Sequence, residues 1–217
     1  MPGPSRNYAK ELERLIQKLQ QEGKVPRLLL HACCAPCSSA VLEYLSQYFA
    51  ITLLYYNPNI APLEEYQKRE AELRRLISQM KFTHPVELLP CQYDGQAFVQ
   101  AARGLEGEPE GGKRCEACFR LRLRYAAQEA ARLRFDYYTT TLSISSPMKN
   151  ALLLNQLGEE IGREFGVAHL PSDFKKKDGY KRSVQLSKEY DLYRQDYCGC
   201  AFSKAQRQRE KEERKEV

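Results

Sequence analysis

Residues 27–39 read RLLLHACCAPCSS. A short apolar run ends in a turn holding three cysteines, and a helical pattern follows through Leu42, Tyr44, Leu45 and Tyr48. A brief apolar run bounded by turn residues marks a buried strand, here feeding straight into a helix. The same alternation continues outward. Downstream, residues 51–56 (ITLLYY) predict a second strand ending at Asn57-Pro58-Asn59, 64–80 a charged amphipathic helix, and 86–89 (VELL) a third strand. Residues 115–134 predict a long helix, 135–142 (FDYYTTTL) a β-branched and aromatic strand, 150–165 a helix and 167–170 (VAHL) a fifth strand. Upstream, residues 8–21 place Leu12, Leu15, Ile16 and Leu19 on one helical face, with Gly23 as the stop. The glycine-rich stretch 102–113 predicts a mobile loop. Residues 203–217 alternate charges without a core face and are expected to fray.

Strands alternating with helices imply right-handed βαβ units and a parallel sheet. Sites on such sheets lie at the carboxyl ends of the strands, near the point where strand order reverses. The loops CCAPCSS, NPN and SISSP all follow strands. The expected organisation is an N-terminal helix over 1–24, an α/β catalytic domain over 25–202 and a charged tail over 203–217.

The chain has 217 residues, enough for one substantial core. No apolar run approaches the ~18 residues that span a bilayer, and the first 23 residues are charged without an apolar signal core. A cytoplasmic protein without a membrane partner is expected. A net charge of +6 permits an RNA partner and equally describes an ordinary solvated surface.

Of eight cysteines, seven cluster as Cys33-Cys34, Cys37, Cys115-x-x-Cys118 and Cys198-Gly-Cys200. Clustering favours ligation over stapling, since disulfides gain most by closing long loops. At a helix N-terminus the thiolates of the first group would be stabilised by free N–H groups; the bland reading is a tight turn of small buried residues. Cys115 and Cys118 share a helix face, which suits a redox pair, half a zinc site or half an iron–sulfur site. Together with Cys33 and Cys34 they make four thiolates, a set for Zn²⁺ or for [4Fe–4S] that sequence does not separate. Cys198 and Cys200 can bind one metal or close a small, strained and therefore labile disulfide. Six or seven converging thiols exceed the four that saturate a structural zinc, which argues for redox chemistry. Cys91 is assigned no role.

Residues 173–197 interleave Lys175, Lys176, Lys181, Arg182 and Arg194 with tyrosines including Tyr193. Basic groups bind phosphates and aromatic faces stack unpaired bases, although a solvated charged face has the same pattern. Arg120 and Arg124 offer a second basic patch, with Arg122 pointing elsewhere. His31 is placed to tune the cysteines or shuttle a proton, and is equally a satisfied core histidine. No Walker loop or G-x-G-x-x-G fingerprint is present.

From Arg27 to Phe202 the ordered set HACCAPCS, YYNPNI with EYQKRE, CEACFRLRL, TTLSISSPMKN, DFKKKDGYKRS and YRQDYCGC resembles the QueH family of epoxyqueuosine reductases. The resemblance implies a Rossmann-like sandwich related to adenine-nucleotide α-hydrolases, with the cysteine turn replacing a phosphate-binding glycine loop. It implies cobalamin-free removal of the epoxide oxygen from epoxyqueuosine at the tRNA wobble position, the last step of queuosine synthesis, with electrons from an external donor. On that pattern Cys33, Cys34, Cys115 and Cys118 are ligands of a [4Fe–4S] cluster. Cys198 and Cys200 are a redox-active pair or, with Cys37, ligands of a second, mononuclear iron. Some members carry aspartate at the position of Cys37, which leaves the identity of that second metal open. Two rivals make different predictions. A sulfur transferase on the same sheet would need ATP, and a zinc-stabilised RNA-binding module would be colourless and inactive.

Overall fold

The computed structural model describes residues 6–145 and 149–214. Its order is α1 (Tyr8–Gln21), β1 (Arg27–His31), α2 (Ala35–Leu45), β2 (Ala50–Leu54), α3 (Leu63–Gln79), β3 (Val86–Leu89), α4 (Gly95–Ala102), α5 (Lys113–Arg132), β4 (Tyr137–Thr140), α6 (Ala151–Phe165), β5 (Ala168–His169), α7 (Gly179–Glu189) and α8 (Ala201–Glu213). All pairings are parallel, in the order β3-β2-β1-β4-β5.

The central strand explains the layering. Leu28, Leu29 and Leu30 are wholly buried. Leu28 and Leu30 pack with Leu12 and Ile16 of α1, Leu42 of α2, Leu73 of α3 and Leu186 of α7. Leu29 points the other way, to Leu123 of α5 and Leu157 and Ile161 of α6. Alternating side chains thus serve two faces, as a continuous apolar run requires. The chain builds outward from β1 through β2 to β3, then returns to lay β4 on the far side of β1. With right-handed crossovers, that reversal puts α2 and α3 on one face and α5 and α6 on the other. The α/β parallel sandwich is therefore Rossmann-like, and the crevice at its switch point lies beyond the ends of β1 and β4.

Local chemistry sets the ends. Asn7 Oδ1 accepts from Lys10 N at 3.1 Å and starts α1. Strand β4 stops at Thr140, short of the expected Leu142, because Thr140 Oγ1 accepts from Leu142 N at 3.2 Å and turns the chain into a 3₁₀ turn over Thr141–Ile144. It starts late, at Tyr137, because Arg134 takes a φ of 56° and Phe135 N donates back to Ala130 O to close α5.

Three helices are not evident from patterning. Helix α7 buries only one apolar residue, Leu186, beside Ser183 and Ser187. Those serines satisfy their hydroxyls on Tyr180 O and Ser183 O at 2.7 and 2.6 Å, so the face against α2 is small rather than apolar. The short helix α4 starts where Asp94 Oδ1 accepts from Ala97 N at 3.1 Å. The tail expected to fray is helix α8, begun where Cys200 Sγ accepts from Ser203 N at 3.3 Å and where Ser203 is buried. In the stretch expected as a mobile loop, Arg114 donates to the carbonyls of Leu105, Glu106 and Glu108. Among the described residues no helix is long and apolar enough to cross a membrane.

Candidate metal and redox site

Strand β1 ends at His31, and Cys33 and Cys34 follow before Pro36 opens α2. Cys33 N donates to Thr141 Oγ1 at 3.1 Å, and the Thr141 hydroxyl donates to Cys33 Sγ at 3.3 Å. The threonine just past β4 therefore pins the cysteine just past β1 across the switch point. The Sγ atoms of Cys33, Cys34 and Cys37 all lie within 4.8 Å of one another. This tight group differs from the expected set of Cys33, Cys34, Cys115 and Cys118. One turn of α2 delivers Cys37 to its own neighbours, whereas Cys115 and Cys118 come from α5. Cys115 Sγ accepts from Gly111 N at 3.2 Å, and Cys118 packs with Cys200, Phe98 and Ala102.

The third pair precedes α8. Cys198 Sγ and Cys200 Sγ lie 3.4 Å apart. All eight cysteines are free thiols, so the disulfide that this pair could close is not formed. The turn is fixed from three sides: Cys198 N donates to Ser203 Oγ at 3.2 Å, Arg69 Nη1 to Cys198 O at 3.2 Å and Ala61 N to Gly199 O at 3.1 Å. Gly199 has φ +114°, and an added Cβ would meet Ile60 Cγ1 at 2.8 Å and Arg69 Nη1 at 2.9 Å. Gly199→Ala is accordingly expected to cost about 1–3 kcal/mol, read by urea denaturation, and to splay the two thiols. An unchanged unfolding midpoint would contradict this.

All three cysteine groups line one cavity of about 910 Å³. Cys91 does not; it is half-buried beside Tyr125 Oη at 3.8 Å. Seven cationic side chains also line the cavity, among them Arg69, Arg114, Arg122 and Lys149. Arg122 is 4 % exposed, donates to Cys118 O at 3.2 Å, and has no carboxylate in salt-bridge range among the described residues. Burial works against the charge of Lys149, but the thiols of Cys33, Cys37 and Cys198 outweigh it and hold its pKa above the ordinary value. Hydrogen bonds from Cys34 and Cys37, with Lys149 and Thr141, hold Cys33 well below the usual thiol range. Its neighbour Cys34 is correspondingly pushed up to about 12, and Cys37 is also raised. Cys198 is lowered by its bond to Cys200 and by Lys149, and Cys200 is raised. Burial lifts Cys118 to about 11. The donor set is soft, largely buried and faced by Arg122 and Lys149, neither of which has a salt-bridge partner among the described residues, which fits a thiolate-ligated metal.

Several expected site residues lie elsewhere. His31 is wholly buried and does not line the cavity. Its Nε2 donates to Tyr56 O at 3.0 Å and its Nδ1 takes the Thr140 hydroxyl proton at 2.8 Å, since Thr140 Oγ1 already accepts from Leu142 N. Burial, with Arg122 nearby, pushes its pKa down to about 4. A neutral histidine with both nitrogens engaged is a core residue rather than a proton shuttle. Of the basic–aromatic segment, Lys175 and Arg194 line the cavity, together with Tyr180 and Tyr197. Lys176, Lys181, Arg182 and Tyr193 do not: Arg182 pairs with Glu43 at 2.6 Å and Glu189 at 2.9 Å, and the Tyr193 hydroxyl donates to Glu65 at 3.3 Å. The second basic patch is neutralised, with Arg120 on Glu160 at 2.6 Å and Arg124 on Glu164 at 2.5 Å. It is Arg122, facing away from them, that reaches the cavity. Of the SISSP loop, Ser146 and Pro147, with the adjoining Met148, lie outside the described residues; Ser145 and Lys149 on either side line the cavity.

A family model described as epoxyqueuosine reductase QueH matches residues 28–206. The chain is 42 % identical over 204 residues to the epoxyqueuosine reductase QueH of Streptococcus pyogenes serotype M1, covering 93 % of this chain and 80 % of that protein. It is 41 % identical to the Staphylococcus epidermidis protein of the same name, covering 91 % and 84 %. With the Thermotoga maritima protein of that name it shares 34 % identity over 186 residues, covering 83 % and 91 %.

Proposed function

The chain belongs to the epoxyqueuosine reductase QueH family, and from that premise we propose that it reduces epoxyqueuosine in tRNA to queuosine at this cysteine-lined cavity. The observation that carries the reading is the convergence of seven thiols on one crevice at the switch point of the sheet. In the reaction an epoxide gains two electrons and two protons and becomes an alkene and water. Cys33, Cys34, Cys115 and Cys118 would hold an iron–sulfur cluster, and Cys198 and Cys200, with Cys37, the redox pair or a second iron. When bound, such a centre supplies electrons one at a time, without cobalamin. The protein's own contribution is electrostatic. Thr141 orients the Cys33 thiol, and Arg122 and Lys149 keep positive charge against the thiolates. Lys175 and Arg194 on the cavity wall suit the phosphates of tRNA, and Tyr180 and Tyr197 offer faces for an unpaired base.

The test is anaerobic. Protein assayed for iron, sulfide and zinc is given tRNA bearing epoxyqueuosine and a chemical reductant, and the nucleosides are analysed by mass. Iron and sulfide together with loss of one oxygen from the modified base support the reading. Colourless protein with stoichiometric zinc and no turnover would replace it with a zinc-stabilised RNA-binding module.

A further inference from the structure

With His31 enclosed, the proton must come from a group on the cavity wall; the ammonium and phenol groups there are weak acids, and three carboxyl groups line the cavity: Glu110, Asp196 and Glu210. Two are spent. Asp196 pairs with Lys211 at 2.5 Å and Glu210 with Arg207 at 2.6 Å. Glu110 has no cation in salt-bridge range among the described residues. It sits half-buried in the turns before α5, where Arg114 binds the carbonyls of Leu105, Glu106 and Glu108 and so fixes the backbone that carries it. Its one side-chain partner is Ser203, 2 % exposed, whose hydroxyl donates to Glu110 Oε2 at 3.2 Å. The same Ser203 Oγ accepts from Cys198 N at 3.2 Å, which forces its proton toward the carboxyl group. A single buried serine thereby ties Glu110 to the Cys198–Cys200 turn and leaves Oε1 without a partner among the described residues.

We propose that Glu110 is the acid that protonates the oxygen leaving the substrate ring. The inference rests on the reductase reading above. Two electrons from an external one-electron reductant enter the epoxide, and the first C–O bond breaks to leave an alkoxide. Glu110 gives its proton to that oxygen. The second C–O bond then breaks as the C=C bond forms; the departing hydroxide takes a second proton from solvent and leaves as water, and Glu110 is reprotonated from solvent. One epoxide, two electrons and two protons give one alkene and one water.

The surroundings suit an acid. Burial and the nearby Cys198 raise the Glu110 pKa, while the Ser203 bond, Lys149 and Arg207 pull against them without reversing the direction. Cys115 faces it from α5. Activity that needs a carboxyl proton falls as pH rises through the pKa of the group that supplies it. The tyrosines of this part of the chain are weaker candidates: Tyr193 lies outside the cavity with its hydroxyl on Glu65, and burial raises the Tyr197 pKa further above that of a carboxyl group.

Glu110→Gln preserves size and the bond from Ser203 but has no acid proton. Its kcat is expected to fall about 10²–10⁴-fold, with iron content and KM for tRNA unchanged and the alkaline fall in kcat abolished. Ser203→Ala, which removes a bond favouring the charged form, is expected to move that fall to higher pH. A Glu110→Gln rate within threefold of wild type, loss of iron from that variant, or an alkaline limb unmoved in Ser203→Ala would each overturn the assignment. The two proposals fail differently. A wild type loaded with iron but without turnover removes the reductase reading and this inference with it, whereas active wild type beside active Glu110→Gln removes Glu110 alone.

Discussion

Cys33→Ser is expected to leave a folded protein that neither assembles the proposed iron–sulfur centre nor turns over. Cys33 is the thiol on which the site converges: it shares the 4.8 Å group with Cys34 and Cys37, and its backbone and sulfur are both bonded to Thr141. Its contacts with Cys34 and Cys37, with Lys149 and Thr141 beside it, hold its pKa well below the usual thiol range, which favours the thiolate a metal needs. Serine fits the space and can keep the Thr141 contact, but its hard, protonated oxygen is a poor substitute for a thiolate toward iron. Loss of an outer-shell partner alone costs about 10–100-fold in metal affinity, so loss of a ligand should exceed that. Iron and sulfide analysis after anaerobic purification, beside a thermal melt, separates ligand loss from unfolding. Thr141→Val, which removes only the orienting hydroxyl, should fall within the smaller range. A Cys33→Ser protein with full iron content and wild-type turnover would exclude the cysteine turn from the centre.

Cys198→Ser should have an equally large effect on turnover with a different signature. Cys198 is outside the tight trio, 3.4 Å from Cys200, and its thiol is lowered by that neighbour and by Lys149. A thiol lowered in this way suits the exchanging or electron-passing role proposed for it above. Serine retains the backbone bonds to Ser203 and Arg69 but cannot accept or pass an electron. Turnover should fall by at least about 10³-fold, the scale on which removal of a reacting side chain is felt, while the absorbance of the proposed iron–sulfur centre is largely retained. Bleaching of that absorbance in Cys198→Ser would contradict the division of labour and make Cys198 a ligand of the main centre.

Much of this molecule is legible along the chain because it depends on short-range chemistry. The apolar run 27–31 could only be a buried strand, and it is β1 over Arg27–His31. The face of Leu12, Ile16 and Leu19 could only be a helix docked on a core, and it is α1 over Tyr8–Gln21. The cysteine spacings name a thiolate chemistry, and alternation of strands and helices names a parallel sheet and the end of it on which a site is built. Each of these rests on periodicity, caps or adjacency within a few residues.

What only the tertiary structure decided depends on groups far apart in sequence. Whether a basic residue is free or neutralised turns on which helix crosses it: Arg120 and Arg124 meet Glu160 and Glu164 of α6, while Arg122 between them faces the cysteines. His31 looks chemically poised beside three thiols, yet the strand pairing that brings Thr140 and Tyr56 to it uses both its nitrogens. Helix α7 escapes patterning because its buried face is built of serines that fit against α2, and small-residue packing leaves no apolar period. Glu110 lies in no motif, and Lys149 sits in TTLSISSPMKN without a role that spacing assigns; they matter because the chain brings Ser203 of α8 to one and the thiols of Cys33, Cys37 and Cys198 to the other. Sequence fixes which atoms are able to react. Charge pairing, desolvation and hydrogen-bond satisfaction are sums over neighbours, and the neighbours are chosen by the crossing of the chain.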